Sequence, residues 1–576
     1  MQAYEQSSAP SDSGLVHTPW LRVVTAVLTK QMGAELYGMP GYVLTLKGRV
    51  PDGFIAAPHD MRPADPVLGR AILSGRFALG GGRMSVQGSG DPWNRPSPTR
   101  SFALELHRFA WLSALLSQGD AGAREALRLF GLWQQTFRKW TPFAWGEAVV
   151  ARRLINLSVA ARRLSAIGTP ADVAALAQSM AEQGRHLLRL HEEEYAAEKA
   201  VALIALGCAL AGATGDRFRN RGLKLLPKVL RKTVLIDGSH ASRSAEQGLD
   251  LLYDLLMVED GLSQRGLPVP ETVSLHIDRL TRFVRVLSHP DGSLCGFQGS
   301  EGLAAGLVAA ALVHDDNRPL GQTTTPNLLD HGRYHRLIGR SLHVIVDSGE
   351  PRQGAMGYAA CDYPMAFEAS GGRDKLIVSP GWSPNQSDRQ DMRVVREGNT
   401  LSIGEKPLLA PVAGKFGELL NYTLEGDRYK VRSRRVDAEE SGTLLEMEHE
   451  GWREQYGVKH ERRLYVDTQR DELRGEDRLT PVEAKVEKLT TGPFVIAFRL
   501  HPEVQASLAR DKKSVLLRGP GGRGWWFRHD AREVALTHGV IFEGGLTRKT
   551  TVIELKGVSR PDTASRVRWK LSPAES

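Results

Sequence analysis

The sequence predicts a multidomain chain that is helical first and β-rich second, and three observations carry that expectation. From about residue 101 to 312, successive windows place apolar residues three and four apart, separated by short Gly, Pro, Asp or Thr breaks. Past His314 the pattern shifts to short β-rich segments such as SLHVIVDSG, TLSIG, RRLYVD, FVIAFRL and TTVIEL, bounded by Gly, Pro, Asp or Asn. The length, 576 residues, exceeds what one compact core accommodates. Residues 1–320 are assigned to the helical part and 330–576 to the β part.

The clearest helical windows are 101–118, 121–138, 143–166, 170–190, 193–213, 243–257, 270–288 and 301–313. Short connections between them imply antiparallel pairs, and a ring or bundle of hairpins would bury their shared faces. Segment 19–37 also has helical spacing; it could pack on the body or lie on a membrane surface, and packing is the expectation. Segment 53–100 is dense in Gly and Pro and reads as a long ordered loop. The β segments alternate apolar with polar residues and have no helix between them, which argues for an antiparallel sandwich.

Composition narrows the partners. Lys and Arg number 75 against 66 Asp and Glu, a net charge of +9 spread along the chain rather than gathered in a tail. That distribution fits a basic cleft for an anionic partner, or equally a solvated basic surface. The run Lys224–Lys232, with Lys228 and Arg231, reads as a solvated helix face, so no nucleic acid is expected. Cys208, Cys295 and Cys361 are too far apart for a disulfide framework or a metal motif. The opening MQAYEQSSAPSDSG lacks an apolar core, so no secretory signal is read and a cytoplasmic location is expected, or a periplasmic one if a leader has been trimmed from this sequence. The longest apolar stretch, Val201–Ala213, is too short for an integral membrane segment.

Five segments carry a family resemblance: DPWNRPSPTRSFALELHRFAWL at 91–112, FAWGEAVVARRLINL at 143–157, LIDGSHASRSAEQGLDLLYDLL at 235–256, AFEASGG at 366–372, and HEGW with KHERRLYVD at 449–467. Their order resembles that of heparinase II/III proteins. The resemblance implies an incomplete α/α toroid followed by an antiparallel β-sandwich, with polysaccharide held in the groove between them. It also implies β-elimination at a uronic acid: the carboxylate is neutralised, a base takes the C5 proton and an acid protonates the leaving oxygen. The expected partner is therefore an acidic polysaccharide, with a homodimer left open and no cofactor or metal expected.

Several family positions are altered. Where similar lyases carry an Asn-His pair, this chain has Glu194 and Tyr195. The Gly-Gly-His…Ser-Pro-x-Tyr-His pattern falls on Gly238, Ser239, His240 and Ser244, with Gln247 at the tyrosine position. Ala359, Cys361 and Gly398 stand where zinc-bearing relatives have histidines, ahead of Phe367 and Glu368 in the first case and before Asn399 and Thr400 in the second. The departures leave two readings: a lyase, or a glycan-binding or envelope-associated protein that has lost catalysis.

His240, Arg243, Tyr195 and His460 are the candidate catalytic residues, and Trp145, Arg152, Arg153, Trp93, Glu246 and His449 the candidate substrate contacts. His240 and Arg243, three apart at a helix start, could bind a carboxylate; alternatively His240 caps the helix and Arg243 pairs with Glu246. Trp145 with Arg152 and Arg153 could offer a sugar platform and guanidinium forks, or be a core indole beside solvated arginines. His449, Tyr456, His460 and Arg462 sit on strand-like segments, where one could reach the groove or simply be hydrogen bonded.

Overall fold

The computed structural model describes residues 20–87, 90–317, 325–438, 441–484 and 490–574, apart from the Lys415 side chain. The opening MQAYEQSSAPSDSG stretch and the expected boundary at residue 320 lie outside the described residues. Helices dominate up to Asp316, and strands dominate from Leu328 onward.

The helical half is an incomplete toroid whose main members are Arg100–Arg108, Gly119–Phe137, Glu147–Ile167, Pro170–Leu187, Ala196–Ala209, Gly212–Thr233, Ala245–Gln264 and Glu271–Val286. Ala196–Ala209 lies at its centre. Ala200 through Leu206 are all fully buried there, because neighbouring helices cover every side of that helix. Local chemistry sets the ends. Thr169 and Asp172 form a reciprocal capping box before Pro170, and Ser244 accepts from the Gln247 amide at the start of Ala245–Gln264. Gly212–Thr233 was not among the expected windows. It is a 22-residue helix containing Pro227, and it exposes Lys224, Lys228 and Arg231.

Segment 53–100 differs from the expected loop. Pro66–Leu73 is a helix whose N-cap Asp65 accepts from the Val67 and Leu68 amides at 2.8 and 3.0 Å. Arg76–Leu79 and Gly82–Ser85 form a hairpin turning through Gly80 and Gly81. The Pro and Gly residues that suggested irregular chain serve here as a helix start and a tight turn.

Among the described residues, every strand pairing in the β half is antiparallel. The largest sheet has eight strands, in the order Val431–Ala438, Gly442–His449, Val458–Asp467, Glu472–Pro481, Ser565–Pro573, Gly524–His529, Ser514–Arg518 and Gln505–Leu508. A four-stranded sheet (Glu533–Glu543, Leu546–Ser559, Gly492–Arg499, Leu401–Ile403), a five-stranded sheet running from Leu328 to Ile377 and a two-stranded ribbon of Leu409–Pro411 with Leu424–Gly426 accompany it among the described residues. Alternating burial along Val458–Asp467 turns Val458, His460, Arg462, Leu464 and Val466 inward. Trp569 stacks on Phe367 from another sheet at 5.4 Å, and its strand partner is Gly475, where a Cβ would collide with the indole.

The halves are joined by polar contacts as well as packing. The Asp388 carboxylate accepts from the Arg100 and Ser101 amides at the start of Arg100–Arg108. His289 donates to Glu368 at 2.8 Å, and the Asp237 carboxylate accepts from the amides of His331 and Gly332.

Candidate functional site

A cavity of about 390 Å³ opens between the halves. Its helical wall comes from Arg100–Arg108, Glu147–Ile167, the first turns of Ala196–Ala209 and Ala245–Gln264, and its other wall from residues 382–390, Asn421 and Tyr422. Of the expected site residues, Tyr195, His240, Glu246 and Arg152 line it.

His240 reaches the cavity from a turn that only glycine permits. Gly238 has φ +94°, and a Cβ there would lie 2.1 Å from the Arg279 carbonyl oxygen. His240 Nδ1 accepts from the Ser242 amide at 3.2 Å and lies 2.7 Å from the Ser242 hydroxyl. Its proton is therefore on Nε2. Burial lowers its pKa to about 4, so the ring is neutral at physiological pH. The helix cap is Ser244, not His240.

Tyr195 ends a short 3-10 turn, its ring 5.8 Å from that of Tyr358. Burial pushes its phenol well above the ordinary value; Arg108 opposes this, while Glu194, Glu192 and Glu198 reinforce it. A phenol acting as base needs the opposite shift. Glu246 accepts from the Ser383 hydroxyl at 2.7 Å, Asn385 Nδ2 at 3.2 Å and the Glu301 amide at 3.1 Å. Burial, then the nearby Asp250, raises its pKa to about 7.

The wall is acidic rather than basic. Asp60, Glu105, Glu194, Glu198, Glu246, Asp250, Asp254 and Asp388 face four cations, Arg62, Arg100, Arg108 and Arg152. Arg152 grips Asp254 with two bonds of 2.8 and 3.0 Å, and Arg62 adds a third at 2.9 Å while also pairing with Asp60 and Asp250. Arg108 bonds Glu105 and the Asn385 side-chain oxygen, both at 3.0 Å. Arg100, at the rim, lies 3.9 Å from Glu418. The chain's excess positive charge thus lies elsewhere, because each guanidinium deep in the cavity has a carboxylate of its own.

The remaining expected residues lie outside the cavity lining. Arg243, with φ +67°, pairs with Asp347 and donates to the carbonyls of Gly332 and Glu350 at 2.9 Å; it does not pair with Glu246. It clamps the two halves together, and Tyr334 donates back to its carbonyl at 2.7 Å. The Trp145 indole is buried and donates to Phe137 O at 2.9 Å. Trp93 likewise donates to Leu129 O at 3.0 Å. Arg153 is fully buried, bonded to Gln183, His107 O and Ala144 O, with Trp133 beneath it at 4.3 Å. His449 and His460 are cross-strand neighbours inside the sandwich, and His460 bonds Asp477 at 2.8 Å. Each of these side chains has its polar atoms engaged by the fold.

The positions aligned with a metal site do not fit one. Ala359 and Gly398 have no ligating side chain, a Cβ at Gly398 would press on the Tyr363 ring at 2.8 Å, and burial pushes the Cys361 thiol up to about 11. Sequence reasoning passed over Arg62, Asp254, Glu198, Tyr358 and Asn385. One available signal was Asp254, a single acid inside LLYDLLMV, since a charge embedded in an apolar helix demands a partner.

The family model described as heparinase II/III-like, C-terminal, matches residues 321–570. A crystal structure of heparinase III superposes with a TM-score of 0.68 at 14% identity, covering 97% of this chain and 93% of that one. A heparan sulfate lyase HepC mutant from Pedobacter heparinus gives 0.56 at 16% identity, covering 96% and 91%. At such identities the likeness concerns the fold alone. FtsZ-localized protein C of Caulobacter vibrioides is 41% identical over 560 residues, 96% of each chain. With a matching carboxy-terminal half and a relative this similar along its length, the chain belongs to the heparinase II/III-like family.

Proposed function

We propose that this chain is a glycan-binding member of its family that holds a sugar without cleaving it, and that it localises with FtsZ as its Caulobacter relative's name states for that protein. The observation that carries the binding reading is the pairing of Arg62, Arg108 and Arg152 with carboxylates in the cavity wall. Neutralising a uronate needs an uncommitted cation, and a wall this acidic repels one. The cavity suits a neutral or amino-bearing sugar: carboxylates accept from hydroxyl or ammonium groups, and Tyr195, Tyr358 and Trp382 supply aromatic surface. A cytoplasmic location is part of this reading.

β-Elimination on an acidic polysaccharide is the second reading, favoured by His240 and Tyr195 lining one cavity. Incubation with heparan sulfate, hyaluronan, alginate and bacterial exopolysaccharides, followed by ultraviolet absorbance of the unsaturated uronate, separates the two. The binding reading expects no absorbance gain, together with calorimetric binding of a neutral or amino-sugar oligomer. A gain that disappears in His240→Ala would establish the lyase instead. A fluorescent fusion distributed independently of FtsZ would remove the localisation part.

A further inference from the structure

Much of the surplus positive charge that the cavity lacks sits on one helix. Gly212–Thr233 carries seven Lys and Arg residues against one acid, Asp216, which is taken up by Arg219 at 2.7 Å and Arg265 at 3.8 Å. Its inner face packs Phe218, Gly222, Leu226 and Leu230 against the body. Outward, at 100° per residue, Arg217, Arg221, Lys224, Lys228 and Arg231 share an arc of about 80° and run for about 21 Å along the axis. All five are exposed. Among the described residues, only Arg219 and Lys232 of the seven cations form an ion pair, Lys232 with Glu193 at 3.1 Å.

Helix stability disfavours such a row. Cations three or four residues apart on one face repel, and this stripe sets four such pairs end to end: Arg217 with Arg221, Arg221 with Lys224, Lys224 with Lys228, and Lys228 with Arg231. Other helices of the chain place an acid one turn before the arginine, as in Glu105 with Arg108 at 3.0 Å and Glu125 with Arg128 at 2.7 Å. The field of the stripe also reaches neighbouring cations. Burial is the main cause lowering the pKa values of Arg185 and Lys199, and Arg217 and Arg221 respectively lower them further.

We propose that the stripe from Arg217 to Arg231 docks an acidic α-helical segment of a partner protein, laid lengthwise along Gly212–Thr233. Glutamates three and four residues apart on such a segment repeat at the interval of these cations, so two helices side by side set opposite charges in register and relieve the repulsion within the row. Other polyanions fit this face less well. Phe218 is the one aromatic residue of the helix and is buried, so nothing here stacks on the bases of a single strand. A duplex backbone winds away from cations set along one helix axis. Apart from Asn220 the stripe offers donors alone, whereas sugar hydroxyls need acceptors as well. No large apolar side chain between Gly212 and Thr233 is exposed, so the contact is electrostatic and weakens with salt.

The test is fluorescence anisotropy at low salt with the full chain and a labelled alanine-based peptide of about 20 residues, long enough to be helical, whose glutamates lie three and four apart on one face. A peptide of the same composition with its glutamates spread around the helix, duplex DNA and hyaluronan are the comparisons. The striped peptide is expected to bind more tightly than the scattered one and to be released as salt rises. Arg221→Glu with Lys228→Glu should weaken its binding about tenfold at an unchanged melting temperature, both side chains being exposed. If that double variant fails to fold, Lys224→Gln should still weaken binding several-fold. The proposal is overturned if the striped peptide stays unbound, binds no better than the scattered one, or is held undiminished by the altered chain. It is also overturned if duplex DNA or hyaluronan binds more tightly than the striped peptide and is lost in the same double variant, since the face then belongs to a nucleic acid or an acidic polysaccharide.

Discussion

Two arginine–aspartate clusters in this molecule are built from the same residue types and differ in what surrounds them. In the cavity, Asp254 holds Arg152 and Arg62, whose side chains remain 19% and 23% exposed. Inside the sandwich, Asp477 holds Arg462 at 2.7 Å and His460 at 2.8 Å and accepts from the Trp569 indole at 3.0 Å, with none of Asp477, Arg462 and His460 exposed. The first cluster can exchange partners with a ligand or with water. The second is sealed, and its charges survive only because each satisfies the others. A buried histidine beside an aspartate is therefore no sign of catalysis unless a cavity reaches it.

The contrast can be broken most severely at the sealed cluster. Asp477→Ala leaves Arg462 buried and unpaired and should cost about 3–5 kcal/mol in chemical denaturation. Asp254→Ala should cost less, about 2 kcal/mol, because water reaches the two arginines. It should also raise calorimetric affinity for an acidic glycan by freeing them. Equal losses from the two changes would show that the sealed and the water-accessible clusters do not differ energetically.

Acid and alkali should separate the regions in opposite senses. Glu246 and Glu301 keep their protons up to about 7 and about 8 when folded, burial being the main cause. They bind more protons folded than unfolded, so their stabilising contribution is present below the ordinary carboxyl value and lost as pH rises through 7 to 8. Asp477 is held low against burial, chiefly by Arg462, so its contribution is present above the ordinary aspartate value and lost as pH falls through the acid range. Melting temperature against pH should fall less steeply between pH 5 and 8 in Glu246→Gln than in the unaltered chain. An unchanged slope would show that Glu246 is not protonated when folded. The smallest effect is expected of Trp145→Phe: about 1–2 kcal/mol for one indole hydrogen bond and lost packing, with glycan binding unchanged. Weakened binding would return Trp145 to the site.

The order of classes was legible because periodicity is local. Val458–Asp467 alternates in sequence as it alternates in burial, and Ala245–Gln264 begins at the Ser244 whose side chain caps it. Pro66–Leu73 and the hairpin behind it were hidden because Pro and Gly mark a helix start or a turn as readily as a loop. Four of the ten expected site residues line the cavity. The other six attracted attention as Trp, His and Arg, which are conspicuous in a sequence for the same chemistry that lets them satisfy a core.

From residues alone came the helical half, the antiparallel half, the family resemblance and the turn that presents His240, all of them properties of spacing or of short segments. Which charges meet was settled by packing. Glu105–Arg108 and Asp60–Arg62 are local pairs, but Asp254 draws Arg152 and Arg62 from distant segments and the fold brings all of them to one wall, so a chain of charge +9 encloses an acidic cavity. Electrostatic potential depends on distance in space, and sequence separation carries almost none of that information.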